Sequence, residues 1–310
     1  QLNPMQQLAV KHDTGPLLLL AGAGSGKTRA LTHRIAWLIT QYKVDPWQIL
    51  AVTFTNKAAG EMRQRLEELL GDPKGLWVST FHATCVRILR QEIEVLGFKR
   101  NFTIYDDQDQ ERLLKTLLQE LGIDDKALKP RAVAAAIDRA KNRGIWPDQL
   151  DDGDYQAEQI TRIYALYQER LKQANALDFG DLLMQVVRLF EDHPEVLEKY
   201  RQRFHYILVD EFQDTNQVQY RLVHLLASGH GNLCVVGDDD QSIYRWRGAE
   251  VGNILGFERD YPGCETIRLE QNYRSTKTIL DAADAVVANN AGRKIKKLWT
   301  ENDVGEGVTL

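Results

Sequence analysis

The 310-residue sequence is poor in cysteine, in methionine and in net positive charge. Its three cysteines, Cys85, Cys234 and Cys264, lie far apart and form no CxxC pair. That excludes a disulfide framework and a cysteine-based zinc site, and it implies a reducing compartment, the cytoplasm. No apolar run approaches the ~20 residues needed to cross a bilayer, so no membrane partner is expected. The opening Gln1-Leu2-Asn3 lacks the basic and apolar regions of a secretory leader. Repeats and low-complexity tracts are absent as well. A composition of 43% hydrophobic and 27% charged residues excludes disorder, collagen-like repeats and coiled coils. The formal net charge of −5 disfavours a nucleic-acid partner when taken alone, because phosphate binders tend to be basic.

What is present is a strand–helix alternation. Short continuous apolar runs, the pattern of buried parallel strands, occur at Pro16–Ala21, Ile49–Phe54, Tyr206–Asp210, Leu233–Gly237 and Thr266–Leu269. Helical patterns follow most of them, at Lys27–Thr40, Asn56–Leu70, Asn216–Ala227 and Ser275–Asn289. The expectation is an α/β domain with a parallel sheet. Between about Ala83 and Phe204 no convincing strand is found, and helical stretches dominate at Asp107–Leu121, Pro130–Arg143 and Ala157–Ala174. This reads as an all-helical insertion between two parts of one sheet. From about Gln271 a new strand–helix–strand unit begins and stops at Leu310 incomplete, so the chain reads as a fragment.

Residues 21–28, Ala-Gly-Ala-Gly-Ser-Gly-Lys-Thr, match GxxxxGK[ST] with alanine in place of the first glycine. The loop joins an apolar strand to a helix, which is the context this motif requires. Gly22, Gly24, Ser25 and Gly26 form a turn whose backbone N–H groups can face a phosphate, and the helix N-terminus adds its positive dipole end. Lys27 offers a point charge at the β/γ-phosphates, and Thr28 offers a hydroxyl to Mg²⁺. A second strand ends in Asp210-Glu211, where Asp210 is suited to orient the Mg²⁺ shell and Glu211 to act as general base on water. A third ends in Gly237-Asp238-Asp239-Asp240-Gln241, where Gln241 reads first as a polar turn residue and only secondly as a γ-phosphate sensor.

Eight motifs follow one another in order: LNPMQQLAV (2–10), AGAGSGKTR (21–29), AVTFTNKAAGEM (51–62), VSTFHA (78–83), LDFGDLL (177–183), ILVDEFQDTN (207–216), VVGDDDQSIYRWRGA (235–249) and LEQNYRST (269–276). Through them the chain resembles the UvrD/Rep/PcrA-type superfamily 1A DNA helicases, most of all the UvrD and PcrA branches. The resemblance implies a RecA-like ATPase domain from residues 1–82 and 205–270, a helical insertion at 83–204, and the first part of a second RecA-like domain at 271–310. It implies an ATP-driven 3′→5′ helicase or translocase of DNA repair or replication, with this N-terminal half inactive in unwinding alone. Its implied partners are single-stranded DNA and duplex junctions, the C-terminal half of the same helicase (domains 2A and 2B), and repair proteins.

Residue by residue, the resemblance implies that Gln6 reads the adenine edge and that Arg29 and Tyr273 sandwich the ring. It gives Lys27 and Thr28 to the phosphates and Mg²⁺, Asp210 to Mg²⁺, and Glu211 to water activation. Gln241 couples the γ-phosphate to DNA, and Arg274 stabilises transition-state charge. Phe54, Asn56, Thr80, His82, Tyr244, Trp246 and Arg247 match positions lining the single-strand groove, where aromatic rings stack bases without sequence preference. Read without the family, those aromatics are core residues before they are DNA contacts. Two positions depart from the pattern: Arg245, where glycine is frequent, and Gly180, where an acid is common. Other readings remain: the motor of a helicase–nuclease, a module that strips recombinase filaments, and an unrelated P-loop enzyme such as a kinase. The charge is also explained, because between Asp210 and Asp240 six acids face a single arginine, Arg221, and the remainder balances. The acidity marks a metal–nucleotide edge and leaves room for a local basic groove.

Overall fold

The computed structural model describes residues 2–124, 128–150, 155–244, 248–290 and 293–308. It divides into two compact units, one of Gln1–Thr80, Lys199–Thr215 and Leu226–Leu310, the other of Phe81–Glu198 and Asn216–Leu225. Among the described residues eight strands occur in chain order: β1 Leu17–Ala21, β2 Ile49–Thr53, β3 Trp77–Thr80, β4 Thr103–Tyr105, β5 Ala176–Asp178, β6 Tyr206–Val209, β7 Leu233–Gly237 and β8 Glu265–Leu269.

Six of them form the sheet of the first unit in the order β3-β2-β6-β7-β1-β8. Every neighbouring pair is parallel. This is the mostly parallel α/β architecture of a RecA-like domain. β1, β2 and β7 are buried along their whole length, which is why their sequences read as unbroken apolar runs. Leu17, Leu19, Ile49, Ala51 and Val236 pack with Ile35 and Leu38 of the helix Lys27–Thr40 and with Met62 and Leu66 of the helix Asn56–Leu70. The latter helix starts where the Thr55 side chain accepts the Ala58 N–H, a standard N-cap.

β3 escapes sequence patterning because it has only four residues and ends in Ser79-Thr80. Trp77 identifies it in three dimensions: its ring meets Phe204 edge-on at 5.0 Å, and Arg203 lies over it at 4.7 Å. The segment after β8 also differs from expectation. Its helix runs over Lys277–Val287, but among the described residues only an isolated parallel bridge, Gln271 to Trp299, stands where new strands were expected.

The second unit is mainly helical, with one departure from the all-helical expectation: β4 and β5 pair in parallel. With three residues each they are too short to show a period. Its core joins Leu114, Leu117 and Leu118 to Val133 and Ile137 and to Ile163, Tyr164 and Tyr167.

Within that core sits a closed polar cluster. The Lys141 ammonium contacts Asp178 Oδ2 at 2.6 Å and Asp181 Oδ1 at 2.8 Å, with all three side chains buried. Tyr167 donates to Asp178 Oδ2 (2.9 Å) and Gln168 to Asp181 Oδ1 (2.9 Å). Asp178 also caps the helix Phe179–Asp192, accepting the Asp181 N–H while Asp181 accepts the Asp178 N–H. Gly180 follows from this arrangement. A Cβ there would lie 2.7 Å from Lys141 Cδ and 3.0 Å from Lys141 Cβ, so the lysine stem occupies the place of the side chain.

Candidate active site

The phosphate loop follows β1. Gly24 (φ +68°) and Gly26 (φ +81°) adopt the left-handed conformation that glycine tolerates, and Gly26 leads into the helix Lys27–Thr40. Ser25 is buried and donates its hydroxyl to Gly22 O (2.7 Å), which closes the turn. Thr28 lies in the first turn of the helix, partly exposed.

Several elements brace the loop. Gln6 is buried on the helix Pro4–Lys11; its amide nitrogen donates to Ser25 O (3.0 Å) and its amide oxygen accepts the Asn3 N–H (3.1 Å). Asn3 completes a capping box with Gln6 and donates to the Tyr273 hydroxyl (2.8 Å), so two residues expected at the adenine are joined through it. Arg29 and Tyr273 are both exposed. Asn272 is buried; it donates to Ala23 O (2.6 Å) and its oxygen accepts the N–H groups of Arg274 and Ser275. Tyr273 N–H reaches Gly24 O (2.9 Å). A Cβ on Gly24 would sit 2.6 Å from Asn272 Nδ2 and 2.8 Å from Arg274 Cβ, so the loop must be glycine for the 272–274 turn to cover it. Arg274 itself is exposed.

The acidic pair lies where β6 ends. Lys27 Nζ contacts Glu211 Oε2 at 2.9 Å, so the lysine expected at the phosphates and the expected general base are neighbours. Glu211 has φ +51°, an uncommon conformation for a residue with a side chain and one that concentrates at functional sites. Asp210 is buried and accepts the Glu211 N–H (3.0 Å). Burial, and next the charge of Glu211, push its carboxyl up to about 6, against the pull of Lys27. Asp214 is likewise raised to about 6, and its Oδ1 is buried with no hydrogen-bond partner among the described residues.

Gln213 is the connecting residue that sequence reasoning passed over. It is buried, donates to Glu211 Oε2 (2.8 Å) and accepts the Asp238 N–H (3.0 Å). Asp238 Oδ2 then accepts from Gln241 Nε2 (2.6 Å). Lys27, Glu211, Gln213, Asp238 and Gln241 thus form one continuous network. The three acids of DEFQD, Asp210, Glu211 and Asp214, could have pointed to Gln213 among them, since a glutamine buried at a strand end can bridge two acidic motifs. Asn3 and Asn272 had only their places beside Gln6 and Tyr273 as a signal.

This donor set fits a magnesium-bound nucleoside triphosphate. Hard oxygen ligands, Thr28 and Asp210, suit Mg²⁺. The left-handed loop presents backbone N–H groups, and an orphaned buried carboxylate oxygen awaits a polar partner.

The residues expected at DNA are distributed between the units. Phe54, at the end of β2, is half-buried; Asn56 opens its helix exposed; Thr80 is buried at the end of β3 opposite Thr53; Tyr244 is exposed. His82 belongs to the second unit, edge-on to the exposed ring of Phe179 at 6.0 Å, and burial holds its pKa below the usual value. Trp246 and Arg247, like Arg245, lie outside the described residues. A concavity of about 840 Å³ within the second unit, bordered by Phe98, Trp146, Lys172 and Arg188, contains none of the phosphate-loop residues.

A parallel sheet, a glycine loop feeding a helix N-terminus and an Asp-Glu pair at a neighbouring strand end define a P-loop nucleotide-binding domain of RecA-like type. The chain belongs to the UvrD/REP helicase family: the UvrD/REP helicase N-terminal domain matches residues 2–262, and the UvrD-like helicase C-terminal domain matches residues 267–310. It is 55% identical over 307 residues to the ATP-dependent DNA helicase PcrA of Bacillus subtilis, covering 98% of this chain and 42% of that protein. To the proteins of the same name in Staphylococcus aureus and Staphylococcus epidermidis it is 54% and 52% identical, with 99% of this chain and 42% of each relative covered. The chain therefore spans less than half the length of these relatives. No helix among the described residues is long and apolar enough to cross a membrane.

Proposed function

We propose that this chain is the ATP-hydrolysing part of a DNA helicase that moves 3′→5′ along single-stranded DNA. The observation that carries the reading is the network from Lys27 through Glu211 and Gln213 to Asp238 and Gln241, which ties the phosphate loop, the water-activating carboxylate and the expected γ-phosphate sensor together. Bound MgATP supplies the scissile phosphoanhydride and the metal charge that neutralises it. Thr28 and ionised Asp210 hold that metal. Lys27 leaves Glu211 for the β/γ-phosphates, and Glu211 then accepts a proton from the attacking water. Gln6, Arg29 and Tyr273 bind the base. Arg274, exposed above the loop, supplies a cation to the transition state, a contribution that can reach about 10³–10⁵ in rate.

Phe54, Asn56, Thr80, His82, Tyr244, Trp246 and Arg247 contact single-stranded DNA at a junction, and the C-terminal half of the protein closes the cleft. Repair or replication in the cytoplasm, with repair proteins as partners, is the setting in which such a motor works. Residues 1–310 alone bind nucleotide weakly, hydrolyse it poorly and do not unwind, because most of the C-terminal region lies beyond them.

The test is unwinding of duplexes tailed at either end by the full-length protein. Separation of the 3′-tailed substrate with DNA-stimulated ATP hydrolysis is expected; absence of both sinks the reading. Glu211→Gln should lower kcat by about 10²–10⁴ while ATP still binds, because only proton transfer is removed. Robust DNA-stimulated hydrolysis by residues 1–310 alone contradicts the inactivity of the half.

A further inference from the structure

Asp238, Asp239 and Asp240 follow β7 in a tight turn, with carboxylate oxygens within 4.8 Å of one another. Three adjacent charges in a buried turn need a counterion, and here it is a side chain. The ammonium of Lys296, 2% exposed, lies 3.0 Å from Asp238 Oδ1 and 3.3 Å from Asp240 Oδ2, and it also contacts Asp239 Oδ1. Arg293 adds a second cation on Asp240 Oδ2 (2.8 Å), and the Lys294 N–H binds Asp239 Oδ2 (2.7 Å). The carboxylate of Asp238 is shared: one oxygen faces Lys296, the other accepts from Gln241 Nε2 at 2.6 Å.

We propose that Lys296 is a positioning residue for hydrolysis: its ammonium fixes the Asp238 carboxylate, and Asp238 in turn fixes the side-chain amide of Gln241. The inference rests on the ATPase reading above and adds a residue that no nucleotide motif contains. Charge neutralisation alone would be satisfied by any removal of acid. Positioning requires this ammonium on this oxygen. Lys296 also lies in the stretch matched by the C-terminal family region, so displacement of that stretch reaches Gln241 through one carboxylate.

The experiment uses the full-length protein and measures kcat and KM for ATP with single-stranded oligothymidylate. Lys296→Met is expected to lower kcat about tenfold with KM for ATP within about twofold, the pattern of a group that acts in the transition state and not in ground-state binding. Lys296→Arg, which keeps the charge, should recover part of that loss. Lys297→Met, on the exposed neighbour, should leave kcat unchanged. In a Gln241→Ala background Lys296→Met should cost nothing further, because the two act as a unit. Should Lys296→Met not fold, the charge-matched Lys296→Met/Asp239→Asn variant decides. It is expected to fold and remain slow. Wild-type kcat in that variant, or independent multiplication of the Lys296 and Gln241 losses, overturns the proposal. A wild-type protein without DNA-stimulated hydrolysis overturns the ATPase reading itself, and this role with it.

Discussion

Asp178 in the helical unit and Asp210 in the sheet unit are both buried aspartates at strand ends, and their surroundings drive them in opposite directions. Asp178 is surrounded by donors: Lys141 at 2.6 Å, Tyr167 at 2.9 Å and the Asp181 N–H. Although burial opposes ionisation, these partners hold its carboxyl below the usual range. Asp210 has its neighbour's N–H, while the Lys27 ammonium of the phosphate loop is bonded to Glu211. Its carboxyl is raised to about 6. The difference separates a polar cluster that completes a core from one left open to a ligand. The first shares one ammonium between two carboxylates, so that Asp178 is held low while burial and the charge of Asp178 push Asp181 up to about 6. The second keeps a carboxylate short of cation, which is the condition under which a metal binds with most gain.

The largest effect is expected where the closed cluster is broken. Lys141→Met leaves Asp178 and Asp181 facing each other without a cation. Losing one partner of a buried ion pair costs about 3–5 kcal/mol. Urea unfolding followed in the helical unit should show that loss, whereas ATP affinity of the protein that remains folded should not change. A loss below about 1 kcal/mol would place the lysine among ordinary surface pairs and end the contrast.

A second, smaller effect tests the open site by pH. Asp210 titrates higher in the folded chain than the ordinary carboxylate value of about 3.9. The folded state therefore holds a proton that the unfolded state releases. The stabilisation is complete below about pH 4 and lost as pH rises through about 6. Asp210→Asn should thus match the wild type near pH 4 and exceed it at pH 7–8 by about 1–3 kcal/mol in nucleotide-free protein. Asp214 and Asp181, both also near 6, leave a residual slope in the variant. Asp178 runs the other way: its stabilisation is present at neutral pH and lost in acid as it protonates. Urea midpoints across pH 4–8 check the sign for Asp210, and midpoints below about pH 4 check the sign for Asp178; a flat wild-type profile over pH 4–8 would refute the assignment for Asp210.

Much of the sheet was legible because β1, β2 and β7 are buried on both faces and carry their signature in composition. Lys27–Thr40 and Asn56–Leu70 have the limits their patterns gave, since a glycine loop and a threonine cap mark their starts. β3, β4 and β5 were invisible, being too short to establish a period. The phosphate loop and Asp210-Glu211 were legible because local geometry demands those residue types. Gln213, Asn272 and Lys296 were not, because each acquires meaning only from a partner distant in sequence: Asp238, Ala23 and the aspartate turn. The unit-two boundary at Phe81 likewise depends on packing and not on any change of composition there.

Gly180 gives the finest test of how rigid the closed cluster is. In the first turn of an exposed helix, alanine for glycine usually stabilises by about 1 kcal/mol. Here the new Cβ would lie 2.7 Å from Lys141 Cδ, and that side chain cannot swing away because two carboxylates hold its far end. Overpacking of this kind costs about 1–3 kcal/mol, so Gly180→Ala should lower stability by about 1 kcal/mol net. An acid at this place brings the same Cβ clash together with a third carboxylate, and Gly180→Asp should cost more than alanine. If thermal or urea unfolding shows Gly180→Ala stabilising the chain, the lysine stem moves freely. The two buried aspartates would then differ in charge partners alone and not in the rigidity that holds those partners in place.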